Sequence, residues 1–326
     1  MADDLTALPV TRLARLTFPE GREDWLIEGL WANEAVGCVG GIPKQGKTWL
    51  ALEMALAVAS GQPCLGHFPV KNPGPVLVFC AEDGPRKVQE RVAGLAKARG
   101  IAFARLAVGW IDAATIWLDD PIHQKRLALT IAAMKPRLLL LDPLVRLHRG
   151  DENSSGDIAK VLGYLRALQR EHHVAIVLVH HARKSGASEP GQALRGSGDL
   201  HAWGDSNAYL LRREGKTTLV VEHRGHKSQE PLVVQLDGDP PRLVVEGVAT
   251  RHVVEPLDTR IVDALTERPL TRTALRERLG VRNETLGIAI DRLVTAGRVV
   301  RIEDGLAVPV PASGIAGNGT SREKRA

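Results

Sequence analysis

The chain is poor in the residues that build stacking platforms, disulfide frameworks and membrane spans. Aromatics make up 4% of its 326 residues, which argues against a broad aromatic surface for single-stranded bases. Cysteine occurs three times, as Cys38, Cys64 and Cys80, with no C-x-x-C spacing. That excludes a disulfide scaffold and a zinc ribbon and fits a reducing compartment. Cys38 and Cys80 fall in apolar runs, where a thiol acts as a small hydrophobe. Long apolar runs are also missing. The longest, Trp49 to Ala59, contains Glu53 and is well short of the roughly 20 residues a bilayer span requires. Residues Met1 to Leu8 carry two aspartates and no signal-peptide pattern, so we expect a cytoplasmic protein without membrane contact.

What remains is an ordinary globular composition, 44% hydrophobic and 25% charged. The net charge of +5 and a pI near 9.2 permit a polyanionic partner without demanding one. Residues 1–34 read as a lead-in whose Trp25, Leu26, Ile27, Leu30 and Trp31 pack on a main domain at 35–247. Within it, Val36 to Gly40, Val76 to Ala81, Leu138 to Leu141 and Val174 to Val179 are continuous apolar strands. Helical stretches separate them at 47–60, 85–99 and 157–171. Continuous apolar strands alternating with helices predict an α/β fold with a parallel sheet covered on both faces. Residues 182–198 are Gly/Ser-rich and read as mobile. Shorter alternating strands at 206–212, 217–222, 232–236 and 242–245 predict an antiparallel or mixed sheet edge.

Residues 248–256 read as a linker, and 257–308 as a small domain of three helices and a hairpin. Thr271 and Asn283 are the expected caps, and Gly280 and Gly297 the expected stops. The hairpin turns at Asp304-Gly305. This is the winged-helix pattern. Its nine Arg or Lys residues against eight Asp or Glu give no strong positive face. Arg272, Arg276, Arg282 and Arg292 are the residues that would form one; a protein contact is the alternative. Residues 309–326 read as a disordered, basic-ended tail.

One segment carries specific chemistry. Gly41, Ile42, Pro43, Lys44, Gln45, Gly46, Lys47 and Thr48 fit G-x-x-x-x-G-K-[ST] in full. The glycines let backbone N–H groups turn inward around phosphate, and the following helix, from about Lys47 and with Trp49 in its first turn as part of the binding segment, adds its positive end. Lys47 reaches the β- and γ-phosphates of ATP, and the Thr48 hydroxyl ligates Mg²⁺. Asp142, at the carboxyl end of Leu138 to Leu141, is placed to complete the metal site. Glu82, after the strand Val76 to Ala81, is the expected base for water; Asp83 is its rival, but its position beside Pro85 suits a helix cap. His181, with His180 beside it, sits at a strand end where a hydrogen bond to the γ-phosphate is one role and ordinary strand-end polarity the other.

These segments occur in a set order: GIPKQGKT, AED at 81–83, LLLLDPLVRLHRGDENSSGD at 138–157 and VLVHHARK at 177–184. In that order the chain resembles RecA-type ATPases over about residues 25–240, and most of all the RepA-type replicative helicases of plasmids and related mobile elements. The resemblance implies a RecA-like core, a ring of six subunits with ATP between neighbours, and a single-stranded DNA partner. It implies that Glu82 activates water, that Lys47 and Thr48 bind ATP–Mg²⁺ and that Asp142 completes the metal site. It also implies that Arg146, His148 and Arg149, then Arg183, Lys184 and Arg195, face the channel. Arg224 or Lys227 would reach the γ-phosphate held by the neighbouring subunit. The alternative is an ATP-switched regulator acting through residues 257–308.

Overall fold

The computed structural model describes residues 10–17, 21, 23–151, 154–181, 198–213, 215–239, 241–249, 257–281 and 283–309. The chain divides into two compact units, Met1–Ala249 and Thr250–Ala326. In the first, a short 3-10 turn (Leu13–Arg15) precedes a hairpin, β1 (Trp25–Ile27) and β2 (Trp31–Ala32). It continues through β3 (Val36–Gly41), α1 (Lys47–Ser60), β4 (Val76–Cys80), α2 (Pro85–Ala98), β5 (Val108–Trp110), α3 (Pro121–Met134), β6 (Leu138–Asp142), α4 (Ser155–His172), β7 (Ala175–His181) and α5 (Gly198–Trp203). Four strands close it: β8 (Ser206–Arg213), β9 (Lys216–His223), β10 (Leu232–Asp237) and β11 (Arg242–Val248). The expectations for 182–197, with Arg183, Lys184 and Arg195, and for most of the linker at 248–256 and the tail at 309–326 lie outside the described residues, but Val248, the first linker residue, instead ends β11.

Nine strands form one sheet in the order β11-β10-β9-β8-β3-β7-β6-β4-β5. From β8 to β5 every pairing is parallel; β9, β10 and β11 extend the sheet antiparallel. The apolar runs explain this burial on both faces. Successive side chains of a strand point to opposite sides. Val76, Val78, Leu138, Leu140, Val177 and Val179 enter one core with α1 and α2. Leu77, Phe79, Leu139, Leu141, Ile176 and Leu178 enter the other, with α3 and α4. This is the expected α/β architecture, a RecA-like P-loop NTPase core.

The sequence pattern assigns nothing to residues 100–137, where the structure holds β5 and α3. The helix signal was present, because Asp120 caps it by accepting from Ile122 N and His123 N and Pro121 opens it. Only Leu127 and Ile131 of α3 are buried, too few to show as an apolar stripe. One capping expectation is corrected. The N-cap of α2 is Gly84, with no side-chain cap, so Asp83 does not cap the helix.

The second unit holds α6 (Leu257–Glu267), α7 (Arg272–Leu279), α8 (Asn283–Thr295), β12 (Val300–Ile302) and β13 (Gly305–Ala307). Thr271 Oγ1 accepts from Ala274 N and so caps α7. Ile261, Leu265, Leu275, Leu286, Ile290 and Leu293 form a small separate core. Leu270 bridges to Leu306 of the hairpin.

Candidate nucleotide-binding and hydrolysis site

The turn between β3 and α1 takes backbone conformations that few side chains tolerate. Gly46 has φ +88° and Lys44 has φ +65°. A Cβ on Gly41 would lie 2.7 Å from the Leu210 carbonyl oxygen of the adjacent β8, so only glycine fits that close approach. Inside the turn, Gln45 Oε1 accepts from Ile42 N at 3.1 Å and Lys47 Nζ donates to Ile42 O at 3.0 Å. No side chain caps the start of α1. Its first N–H groups therefore remain available to an anion.

Strand parity then brings in the acid. Along β6, Leu138 and Leu140 face α1, so Asp142 does too. Its Oδ2 accepts a 2.7 Å hydrogen bond from Thr48 Oγ1. Burial raises the Asp142 carboxyl to about 6; the Thr48 hydrogen bond and the Lys47 charge oppose that rise, and the Glu82 and Asp83 charges add to it. Burial lowers Lys47 to about 8 against the pull of Asp142 and Glu82. Lys47, Asp142 and Glu82 thus share one electrostatic neighbourhood. A hydroxyl and a carboxylate meeting at the start of α1 offer hard oxygens, the donor set that suits Mg²⁺. In that fit Thr48 and Asp142 would hold the ion, which would supply positive charge against the phosphates.

An AAA-domain family model matches residues 2–187, more than half of the chain. The chain belongs to this AAA-domain family. It is a P-loop ATPase built for nucleotide, and the match covers the phosphate turn, Glu82, Asp142 and His181. Strands β8 to β11 and the second unit lie beyond it.

In this AAA-domain protein the two carboxylates after β4 do different things. The Ala81 amide donates to Asp142 O at 2.7 Å and ties the loop to β6. Glu82 is half exposed, and its Oε1 lies 3.1 Å from Arg146 Nε. Asp83 pairs with Lys87 at 2.6 Å and with Arg91. Partial burial pushes Asp83 up, but the hydrogen bonds and charges of Lys87 and Arg91 outweigh it and hold the carboxyl below its usual range. Arg91 also stacks over the Trp49 ring, 5.3 Å from its centroid. Trp49, one residue beyond Thr48, thus meets α2 through its ring. Arg91 escaped the sequence reading, although Asp83 and Lys87 have the i,i+4 spacing that marks a helix-face pair.

The remaining predicted residues separate. His181 pairs in register with Gly41, beside the phosphate turn. Arg224 and Lys227 follow β9, which runs antiparallel to β8 with Ser206 opposite His223. They therefore lie at the opposite end of the sheet from their own phosphate turn. There Arg224 donates to Ala202 O and lies 3.4 Å from Asp205, and Lys227 is exposed. Arg149 pairs with Asp119 and Asp120 at 3.6 and 3.4 Å and lies over Trp117. One expectation is corrected. His148 is buried, 6% exposed, next to the buried Leu144 and Leu147, so it does not offer an exposed loop group in this chain.

Proposed function

We propose that this AAA-domain ATPase is a ring-forming, RecA-like motor that couples Mg²⁺-dependent ATP hydrolysis to single-stranded DNA. The observation that carries the reading is the contact of Glu82, after β4, with Arg146, in the turn that follows Asp142. That contact supports reading Glu82 as the water-activating carboxylate and Arg146 as a phosphate-seeking cation on one rim. Lys47 binds the β- and γ-phosphates, and Thr48 and Asp142 hold Mg²⁺. Glu82 polarises a water and accepts its proton as the water oxygen bonds the γ-phosphorus. The bond from that phosphorus to the β-bridging oxygen breaks, giving ADP and phosphate. His181 donates a hydrogen bond to the γ-phosphate and senses its loss. Arg146 and Arg149 neutralise DNA phosphates. Arg224 or Lys227 acts on the nucleotide of a neighbouring subunit in a hexamer, where a cation stabilises charge on the phosphoryl oxygens.

The test is the steady-state ATPase rate with and without single-stranded DNA at low and moderate salt. Salt-sensitive stimulation supports the motor; a rate indifferent to DNA at both salts removes it.

A second reading draws on the smaller unit, which we take as a winged helix. Its arginines are largely engaged within the unit: Arg292 with Asp258, Arg278 with Glu267, Arg301 with Asp291, and Arg260 and Arg272 with backbone carbonyls. Arg282 lies outside the described residues. That internal pairing favours a protein contact over duplex DNA and a regulatory output for the ATPase. Sequence-specific duplex binding that survives deletion of residues 257–308 would count against any DNA role for this unit.

A further inference from the structure

The loop from β5 to α3 carries an aromatic ring that neither core of the first unit absorbs. Trp117 stands between Ile116 and Leu118, both buried, while its own side chain stays partly exposed. The backbone on either side is fixed. The Trp117 amide donates to His123 Nδ1 at 2.8 Å, and the Trp117 carbonyl accepts from Asp120 N at 3.1 Å. The Leu118 amide donates to Leu147 O at 2.6 Å. That last bond joins the loop to the turn after β6, which carries Arg146 and Arg149.

The Arg149 guanidinium lies over the ring, 6.0 Å from its centroid, at the outer limit of a cation–π contact. Its partners Asp119 and Asp120 stand at 3.6 and 3.4 Å, and its amide donates to Asp119 Oδ2 at 3.1 Å. The backbone of Arg149 is thus tied, whereas its side chain is 55% exposed and covers the ring loosely. A rim of cations alone would hold any polyanion, because duplex and single strand both present phosphates. Unstacked bases distinguish a single strand, and each has a π face that an indole can cover. The scarcity of aromatics excludes a broad platform, but one ring beside two cations is enough for one base.

We propose that Trp117 is a stacking site for one base of single-stranded DNA, with Arg149 beside it on the strand's phosphate. The inference rests on the reading of Arg146 and Arg149 as a DNA-facing rim, and it adds the group that makes such a rim prefer an unpaired strand. The base takes the ring face that Arg149 covers, and the guanidinium turns outward to phosphate. The fixed backbone around Trp117 presents the ring already ordered, which lowers the entropy lost on binding.

The experiment measures binding of the full-length protein, with a non-hydrolysable ATP analogue, to an oligothymidylate and to an abasic deoxyribose-phosphate strand of equal length over a range of salt. Wild type is expected to bind the abasic strand about five- to twentyfold more weakly, the lower part of what one stacked base contributes. Trp117→Leu should bring oligothymidylate down to the abasic affinity while keeping the slope of log affinity against log salt. Trp117→Phe should fall between. Arg149→Gln should weaken both strands and lower that slope by about 0.7, the loss of one phosphate contact. The part of the tryptophan fluorescence that Trp117→Phe removes should be quenched by oligothymidylate and not by the abasic strand. Equal affinity of wild type for the two strands overturns the proposal, as does a full preference for oligothymidylate in Trp117→Leu with an unshifted melting curve. Either result leaves the rim's hold on phosphates standing. A wild type that binds neither strand sinks the DNA reading itself, and the stacking site with it.

Discussion

The two ends of the parallel sheet are built from similar residues to opposite purposes. At the phosphate end, Lys47 and Asp142 are buried and their charged forms are disfavoured, and among the described residues Glu82 pairs with Arg146 at an exposed position. At the other end, Asp205 accepts from Val36 N at 3.3 Å and from both terminal nitrogens of Arg166, with Arg224 at 3.4 Å. Ser206 Oγ bonds His223 and accepts from Ala32 N. The far end gives Asp205 and Ser206 several partners each and ties the lead-in hairpin and α4 to the sheet. The near end, among the described residues, buries Lys47 and Asp142 against burial's penalty on their charges, which is where a polyanion and a cation gain most on binding.

The sharpest way to break this comparison is to remove a charge from each end. Lys47→Ala should abolish turnover while the thermal melt shows an intact fold. Asp205→Ala should retain turnover per folded molecule but lose about 1–3 kcal/mol of stability, since it strands the Arg166 guanidinium and the Val36 amide. Denaturant unfolding with the ATPase assay separates the two. Equal stability loss in both variants would erase the distinction between ends.

Next in size is the pair of adjacent carboxylates. Glu82→Gln should keep ATP binding and lower kcat by roughly 10²–10⁴, the worth of a positioned base. Asp83→Asn should cost much less, because that carboxylate serves Lys87 and Arg91. Normal hydrolysis by Glu82→Gln together with an inactive Asp83→Asn would exchange the two assignments.

The phosphate end should also betray itself in pH. Asp142 must be ionised to hold Mg²⁺, and its carboxyl is raised to about 6. Lys47 must be protonated to hold phosphate, and its ammonium is lowered to about 8. MgATP affinity should therefore fall as pH drops through about 6 and fall again as pH rises through about 8. The proton balance follows: binding releases a proton near the lower limit and takes one up near the upper. Calorimetry in buffers of different ionisation enthalpy reads that sign change. Affinity that is flat from pH 5 to 9 would mean that neither group is perturbed where nucleotide binds.

How much of this was legible varies with the kind of constraint. The phosphate turn was readable because Gly41 and Gly46 meet backbone demands at fixed spacing, and Asp142 because a pure apolar strand ends on it. The parallel sheet followed from runs apolar on both parities. The partners of the acids were not readable. Arg146 reaches Glu82 only because β4 and β6 are neighbours with Cys80 in register with Asp142, and register between distant strands leaves no local mark. Asp83 looked like a cap by position, yet the helix begins one residue later and its carboxylate turns along α2 instead. His148 was placed with Arg146 and Arg149 on an exposed loop by the resemblance alone, and its burial beside Leu144 and Leu147 leaves no mark in the sequence around it. α3 was missed because it buries too little to show a stripe.

Arg91 supplies the smallest test and the finest one. Its guanidinium joins Asp83, in the Glu82 loop, to Trp49, one residue beyond Thr48 in the phosphate helix. Arg91→Met keeps the aliphatic bulk against Trp49 and removes both the ion pair and the cation–π contact. At a partly buried site those are worth about 1 kcal/mol together. A loss spread over the whole fold would lower the melting temperature and leave kcat alone. A loss concentrated on the spacing between Glu82 and the phosphate turn would lower kcat a few-fold with little change in the KM for ATP. We expect the second, because Ala81 already fixes the loop to β6 and Arg91 adds its tie to α1. An unchanged kcat with a lowered melting temperature would assign Arg91 to the scaffold and leave Glu82 positioned by β6 alone.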